Sequence, residues 1–260
     1  MKIYADKKGI KICLTKISKN KKEKIFDLVA REVPLSIILN GKKIITLQCT
    51  PENYKYLGIG FLRTSGWIKN KTDIKSIKVN EKDYSIQCTI GNDLYQFGYS
   101  VKRSLQTGIY QLKKDREEFP LVDFSLRIKK NHIHELVQHM QKKAEFFKSS
   151  GGTHSCVLAN QDGKILLFQE DISRYNSIDK IIGEALTKNI DTRDKIIIAS
   201  CRITSGILLK IISANIPMVI SRAATTDYAV DMANRAGITL IGFVRGERMN
   251  VYSHPERLDL

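Results

Sequence analysis

Cysteine, proline and glycine are all sparse in this chain. The five cysteines are Cys13, Cys49, Cys88, Cys156 and Cys201. Their number is odd, no two lie close together, and no CxxC pair exists. That argues against a disulfide framework, a zinc ribbon and a thioredoxin-like redox site. With 5 prolines and 16 glycines in 260 residues, collagen-like and low-complexity chains are excluded. No apolar run is long enough to span a bilayer, and Met1–Gly9 is polar without a signal-peptide core. The expectation is a cytoplasmic protein that engages no membrane. What the chain does have is 42% hydrophobic residues, enough apolar surface to offset chain entropy and exclude disorder. Its length fits one large domain or two modest ones.

The formal charge of +16 is unevenly spread. Residues 1–130 carry 27 basic and 13 acidic side chains, whereas residues 131–260 carry 16 and 14. The first half would attract a polyanion, or it is simply a lysine-rich solvated surface. No nucleic-acid motif or aromatic stacking pattern accompanies the lysines, so no nucleic-acid partner is expected.

Two regions differ in pattern. Residues 1–125 read mostly as strands and turns. Asn40-Gly41 between two apolar runs predicts a hairpin, and Thr50-Pro51 predicts the cap and first turn of a helix. Further strands are expected at Ile74–Val79, Tyr84–Ile90 and Leu94–Val101, and a mobile polar loop at Arg103–Phe119. Residues 126–260 open with a helix capped by Asn131, its apolar stripe running from Ile133 to Phe147 and ending at Gly151-Gly152. Strands and helices then alternate, which argues for a partly parallel sheet covered by helices on both faces.

Ligands of open α/β sheets bind beyond the carboxyl ends of the strands. Four apolar strand candidates here hand over to Arg174, Arg202, Arg222 and Arg245. If those ends converge, so do four guanidinium forks, groups suited to phosphate oxygens. Ser200, Ser221, Thr225 and Thr226 are candidate caps that would leave helix N–H groups aimed at an anion. His154 sits in the Gly-rich loop Ser149–Ser155 and is either a ligand contact or a structural hydrogen-bonder. Glu170, Asp171 and Asp179 would pair with the arginines or hold a ligand's base. The spacing of His132, His134 and His139 does not favour a metal, and no metal site is expected.

An ordered series of motifs resembles the FdhD family, the formate dehydrogenase accessory proteins. It runs from Glu32-Val-Pro-Leu and Asn40-Gly41 through Gly58-Ile-Gly and Gly151-Gly-Thr-His154 to Glu170-Asp171, Arg174, Asn176 and Asp179-Lys180. It continues with Gly183, Ser200, Arg202, Lys210, Ser221-Arg222 and Gly242-Phe-Val-Arg-Gly246, and closes with the tail from Asn250 to Leu258. The resemblance implies a cytidine-deaminase-like three-layer α/β/α core (126–260) with a smaller strand-rich N-terminal portion (1–125). It implies a sulfur carrier that accepts persulfide sulfur from a cysteine desulfurase. The sulfur then goes to the bis-molybdopterin guanine dinucleotide cofactor of the formate dehydrogenase catalytic subunit, with molybdenum or tungsten. A homodimer is an open expectation. The cofactor-binding stretch maps onto Phe243, Val244, Arg245, Gly246, Glu247 and Arg248, with Arg202, Arg222 and His154 beside it.

The departures are as informative. The family's CxxC pair belongs to a region, about Tyr99–Pro120, that contains no cysteine here. Cys201 replaces a glycine, Gly206 a glutamate, Tyr175 a histidine and Thr225 a proline. Cys201 is therefore the candidate sulfur-carrying catalytic residue. It is expected at a helix N-terminus beside Arg202, where dipole and charge would lower its pKa. The alternatives are a buried, inert Cys201 and a non-catalytic chaperone that binds the cofactor without transferring sulfur.

Overall fold

The computed structural model describes residues 2–4, 7–91, 121–122 and 126–259. The strand expected at 94–101 and the loop at 103–119 lie outside the described residues. Strands β1 (Lys2–Tyr4), β2 (Gly9–Ser18) and β3 (Lys21–Ala30) form an antiparallel sheet in that order. Every residue from Thr15 to Lys24 is exposed, so the distal β2–β3 ribbon packs on nothing described. Strands β4 (Val33–Leu39) and β5 (Lys42–Cys49) are the hairpin the Asn-Gly pair predicts. Asn40 and Gly41 sit at φ 47° and 80°, the left-handed region these two residues enter at low cost.

Helix α1 (Tyr54–Thr64) begins later than Thr50-Pro51 suggests, with Asn53 as its N-cap. Thr50 is spent elsewhere: its N–H and hydroxyl donate to Asp171 Oδ2 at 3.2 and 3.0 Å. Strands β6 (Ile74–Asn80) and β7 (Ser85–Ile90) complete a four-stranded sheet in the order β5-β4-β7-β6. Alternate residues Val33, Leu35, Ile37 and Leu39 are buried, so β4 turns one face onto α1 residues Leu57, Ile59 and Leu62.

After β8 (Ile128–Lys129), the single helix expected up to Phe147 is two. Helix α2 (Lys130–Lys143) is preceded by Lys129 rather than capped by Asn131, and α3 (Glu145–Ser150) follows a break at Ala144. Ile133, Leu136, Val137 and Met140 are buried as expected, but Phe147 is 44% exposed. Gly151, at φ 65°, closes α3.

The remaining elements are β9 (His154–Ala159), β10 (Ile165–Asp171), α4 (Arg174–Thr187), β11 (Ile196–Ala199), α5 (Ser205–Ser213), β12 (Met218–Ser221), α6 (Asp227–Ala236), β13 (Thr239–Arg245), β14 (Arg248–Ser253) and β15 (Leu258–Asp259). Six strands form one sheet in the order β10-β9-β11-β12-β13-β14. Strands β11, β12 and β13 are parallel, and β9 is antiparallel to both β10 and β11. Ile197, Ala199, Val219 and Leu240 face α4, α5 and α6, while Ile196, Ile198, Ile220 and Ile241 face α2. The fold is thus mixed α/β, with a strand-rich N-terminal region and a helix-covered sheet core. Among the described residues no helix is long and apolar enough to cross a membrane.

The two regions meet through α1 and α4 and through Thr50 and Thr64, which donate to the carboxylates of two buried ion pairs in the second region. Asp171 and Lys180 are both fully buried, 2.7 Å apart, with Thr50, Asn176 and the Ser173 N–H filling the remaining carboxylate positions. Deleting one member of such a pair costs about 3–5 kcal/mol, because the other charge is left uncompensated. Asp179 pairs with Lys210 at 2.8 Å and accepts from Thr64 at 2.7 Å. Glu170 Oε1 accepts from the Phe147 N–H and from the Thr153 and Ser155 hydroxyls. Of the two roles open to these carboxylates, arginine partner or ligand contact, the structure shows neither: they tie elements together through lysines, hydroxyls and backbone N–H groups.

Candidate functional site

Because β9 runs against both its neighbours, β10 and β11 point the same way. The carboxyl ends of β10, β11, β12 and β13 share one sheet edge, and β9 starts there. Arg174, Arg202, Arg222, Arg245 and His154 all lie along it. The edge is locked where the Ser155 N–H donates to Ser200 Oγ and the Ser200 N–H donates to the Ser155 carbonyl, both at 3.0 Å.

Between this edge and helices α2 and α3 lie two adjoining hollows. The first, about 240 Å³, has an apolar side of Met140, Ala144 and Phe147. Lys148, His154, Ser200 and Arg222 also line it. The second, about 100 Å³, is bordered by His134, Val244, Arg245 and Gly246. Gln141 and Arg222 line both. No carboxylate lines either hollow among the described residues, so the electrostatics favour an anion.

The β13–β14 pairing slips between Gly242 and Arg245, and Phe243 sits at φ 54°. For a bulky side chain that conformation costs about 1–3 kcal/mol, strain that concentrates at functional positions. It re-aims the strand end, as bulges do. Arg245 emerges exposed, its Nε donating to the Arg222 carbonyl at 3.3 Å. Its guanidinium lies 5.9 Å from the Phe243 ring.

Of the residues singled out in the sequence, the groove brings together His154, Arg222, Val244, Arg245 and Gly246. Arg202 is exposed and borders neither hollow, and Phe243, Glu247 and Arg248 border neither. Arg174 lies over the Tyr175 ring at 5.0 Å, with its Nε buried and unpartnered among the described residues. Burial, and then the Arg174 charge, push the His154 imidazole below its ordinary range, with Asp171 opposing.

Cys201 takes the buried alternative and is not at a helix N-terminus. It is 4% exposed in the core beneath the helices, three residues ahead of Thr204, the N-cap of α5. Burial pushes its thiol up to about 11, outweighing the lowering effect of Arg174. The expected hydroxyl caps are also absent. Thr226 precedes α6 without a side-chain cap bond, Thr225 donates to the Ile203 carbonyl, and Ser221 donates to the Cys201 carbonyl at 2.6 Å. Ser200 is taken by Ser155.

Sequence reasoning passed over Gln141, Phe147 and Lys148. They lie on or just past a helix read as a core stripe, and the break at Ala144 turns Phe147 and Lys148 toward the groove.

The model of the FdhD/NarQ family matches residues 30–259. The chain belongs to the FdhD/NarQ family. It is 35% identical to the sulfur carrier protein FdhD of Bacillus subtilis, covering 90% of this chain and 92% of that protein. With its Listeria monocytogenes counterpart the figures are 34%, 91% and 93%. A crystal structure from Desulfotalea psychrophila, assigned as a formate dehydrogenase accessory protein, superposes with a TM-score of 0.79 at 24% identity. The superposition covers 96% of this chain and 99% of that one, so the two share a fold. The FdhD/NarQ match spans every groove residue named above and starts at the last residue of β3, leaving the exposed ribbon outside it.

Proposed function

We propose that this protein is a sulfur carrier and accessory factor for formate dehydrogenase maturation, and that its groove binds the guanine dinucleotide end of the bis-molybdopterin guanine dinucleotide cofactor. The cofactor is cargo here, not a resident group. Near-full-length kinship to proteins named sulfur carrier supports the role. The observation that carries the binding site is the groove itself, lined by no carboxylate among the described residues: Arg222, Lys148 and His154 line the larger hollow together with Met140, Ala144 and Phe147, and Arg222 and Arg245 line the smaller one. Guanidinium forks suit phosphate, and an apolar wall suits a flat ring.

In the sulfur step, an acceptor thiolate attacks the outer sulfur of a cysteine desulfurase persulfide. The S–S bond breaks and the donor leaves as a thiolate, with no external oxidant. Such chemistry needs reduced thiols, which fits a cytoplasmic location. The cysteine desulfurase and the formate dehydrogenase catalytic subunit are the partners this role requires. A cytidine-deaminase-type core at 126–260 with a separate portion at 1–125 remains our reading of the architecture. Helices on both faces of the six-stranded sheet, and separate apolar clusters in the two regions, support it.

A second reading has its own support. Cys49, Cys88, Cys156 and Cys201 are all buried, and Cys13 alone is exposed, on β2 and lining neither hollow. This favours a chaperone that binds the cofactor and has lost sulfur transfer. Loading the protein with a cysteine desulfurase, followed by intact-mass spectrometry, separates the two. A one-sulfur adduct at Cys201 supports the carrier, and its absence with GDP binding intact supports the chaperone. Replacing Arg245 with Ala is expected to weaken GDP binding by about 1–3 kcal/mol. Unchanged affinity counts against the groove.

A further inference from the structure

We propose that the β2–β3 ribbon docks the protein on an anionic lipid surface, with Ile17 entering the headgroup layer and the lysines around it pairing with lipid phosphates. This goes beyond the maturation role and does not depend on the groove.

All residues from Thr15 to Lys24 are exposed, so the ribbon tip is free to meet a surface. Those ten residues hold five lysines and one carboxylate, Glu23. Among them stands Ile17, 73% exposed. The strand register gives the ribbon two unlike faces. Ile17 lies opposite Lys22, Thr15 opposite Lys24 and Cys13 opposite Phe26, so these six share one face. Phe26, 54% exposed, continues the apolar part of that face farther from the tip. The carboxylates of the two strands, Glu23 and Asp27, lie on the other face, opposite Lys16 and Ile12. The FdhD/NarQ family model begins its match at residue 30, so the tip is a feature of this chain outside that match.

Charge complementarity calls for an anionic partner, and the exposed aliphatic side chain selects its kind. A nucleic acid stacks on aromatic rings and gains little from an isoleucine. A folded acidic protein needs about 800 Å² of fitted surface on each side, and a two-stranded tip with no third layer offers no such frame. A bilayer surface demands no fit. Apolar side chains sink about 5–10 Å into the headgroup boundary while basic ones stay at the polar side. From Thr15 to Ser18 the strand rises about 10 Å, which matches that depth. A spanning helix, absent among the described residues, is not required for this mode of attachment.

The test sediments the full-length protein with vesicles of phosphatidylcholine alone, or of equal parts phosphatidylcholine and phosphatidylserine, with thermal melting as a folding control. The parent is expected to pellet with the phosphatidylserine vesicles and to stay in solution with the others. About 0.5 M salt should release most of it, because the charges are then screened within about 4 Å. The double change Lys21→Glu and Lys22→Glu is expected to weaken binding more than about tenfold, since each lysine near the surface contributes about fivefold. Ile17→Ser is expected to weaken it about tenfold at unchanged charge. A parent that does not pellet with the anionic vesicles overturns the proposal. So does pelleting that neither variant reduces, because attachment then lies elsewhere on the basic first half. Binding that falls with the lysine reversals but not with Ile17→Ser marks a merely basic surface suited to an acidic protein, and overturns the bilayer as the partner.

Discussion

Gly183 of α4 lies so close to α1 that a methyl group on its Cα would stand 2.0 Å from the Tyr56 carbonyl oxygen. The contact is reciprocated at Gly60, where the same addition would meet the Asp179 carbonyl at 1.8 Å. Both obstacles are backbone, so neither can swing aside. Gly183→Ala should force the helices apart, costing about 1–3 kcal/mol or more in urea denaturation. Gly91, with nothing among the described residues within 4 Å of the added position, is the control. Its alanine variant should change stability by less than about 1 kcal/mol.

The thiols offer a second prediction. Burial raises Cys201 and Cys88 to about 11 and Cys49 to about 12. Little thiolate exists at neutral pH in groups so shifted, and access is poor as well. Iodoacetamide should label Cys13 first under native conditions, with Cys201 labelled only as pH rises toward 11. Fast labelling of Cys201 near pH 7, mapped by peptide mass spectrometry, would mean the thiol leaves its core position often enough to act as a sulfur acceptor.

The strand–helix alternation and the strand ends were legible because they follow from local patterns: short apolar runs, Gly stops and an arginine after each run. The gathering of Arg222, Arg245 and His154 on one edge follows from strand direction, which the alternation implies. Cys201 misled because the chain travels three more residues, Arg202 to Thr204, before α5 begins. Neighbourhood in sequence placed the thiol at a helix end, whereas its side chain packs into the core. The fate of Glu170, Asp171 and Asp179 was hidden for a different reason. Their partners, Thr50, Thr64 and Lys210 among them, come from distant parts of the chain, and no local pattern announces a long-range ion pair.

His154 carries a pH prediction whose sign follows from its depressed pKa. The folded protein binds fewer protons at this imidazole than the unfolded chain, which titrates near the ordinary 6.5. Its contribution to stability is present above that value and is lost as pH falls through the folded-state pKa. Urea midpoints should therefore drop between about pH 7.5 and about pH 5, and His154→Asn should show a shallower drop. An identical slope in the variant would assign the acid sensitivity to other groups.

The ribbon yields the last prediction. Leu14 and Ile25 face each other across β2 and β3, and all ten residues between them are exposed. Ile17 is 73% exposed, and five of the ten residues are lysines. A two-stranded ribbon with no third layer is marginal in water, so it adds little to the fold it projects from. Replacing Thr15–Lys24 with an Asn-Gly turn between Leu14 and Ile25 suits the register of the strands. The shortened protein should melt within about 2 °C of the parent, because almost no apolar area is lost from the core. GDP binding should be unchanged, since no groove residue lies within the ribbon. A fall of many degrees would show that the ribbon braces the body, contrary to its exposure on every side.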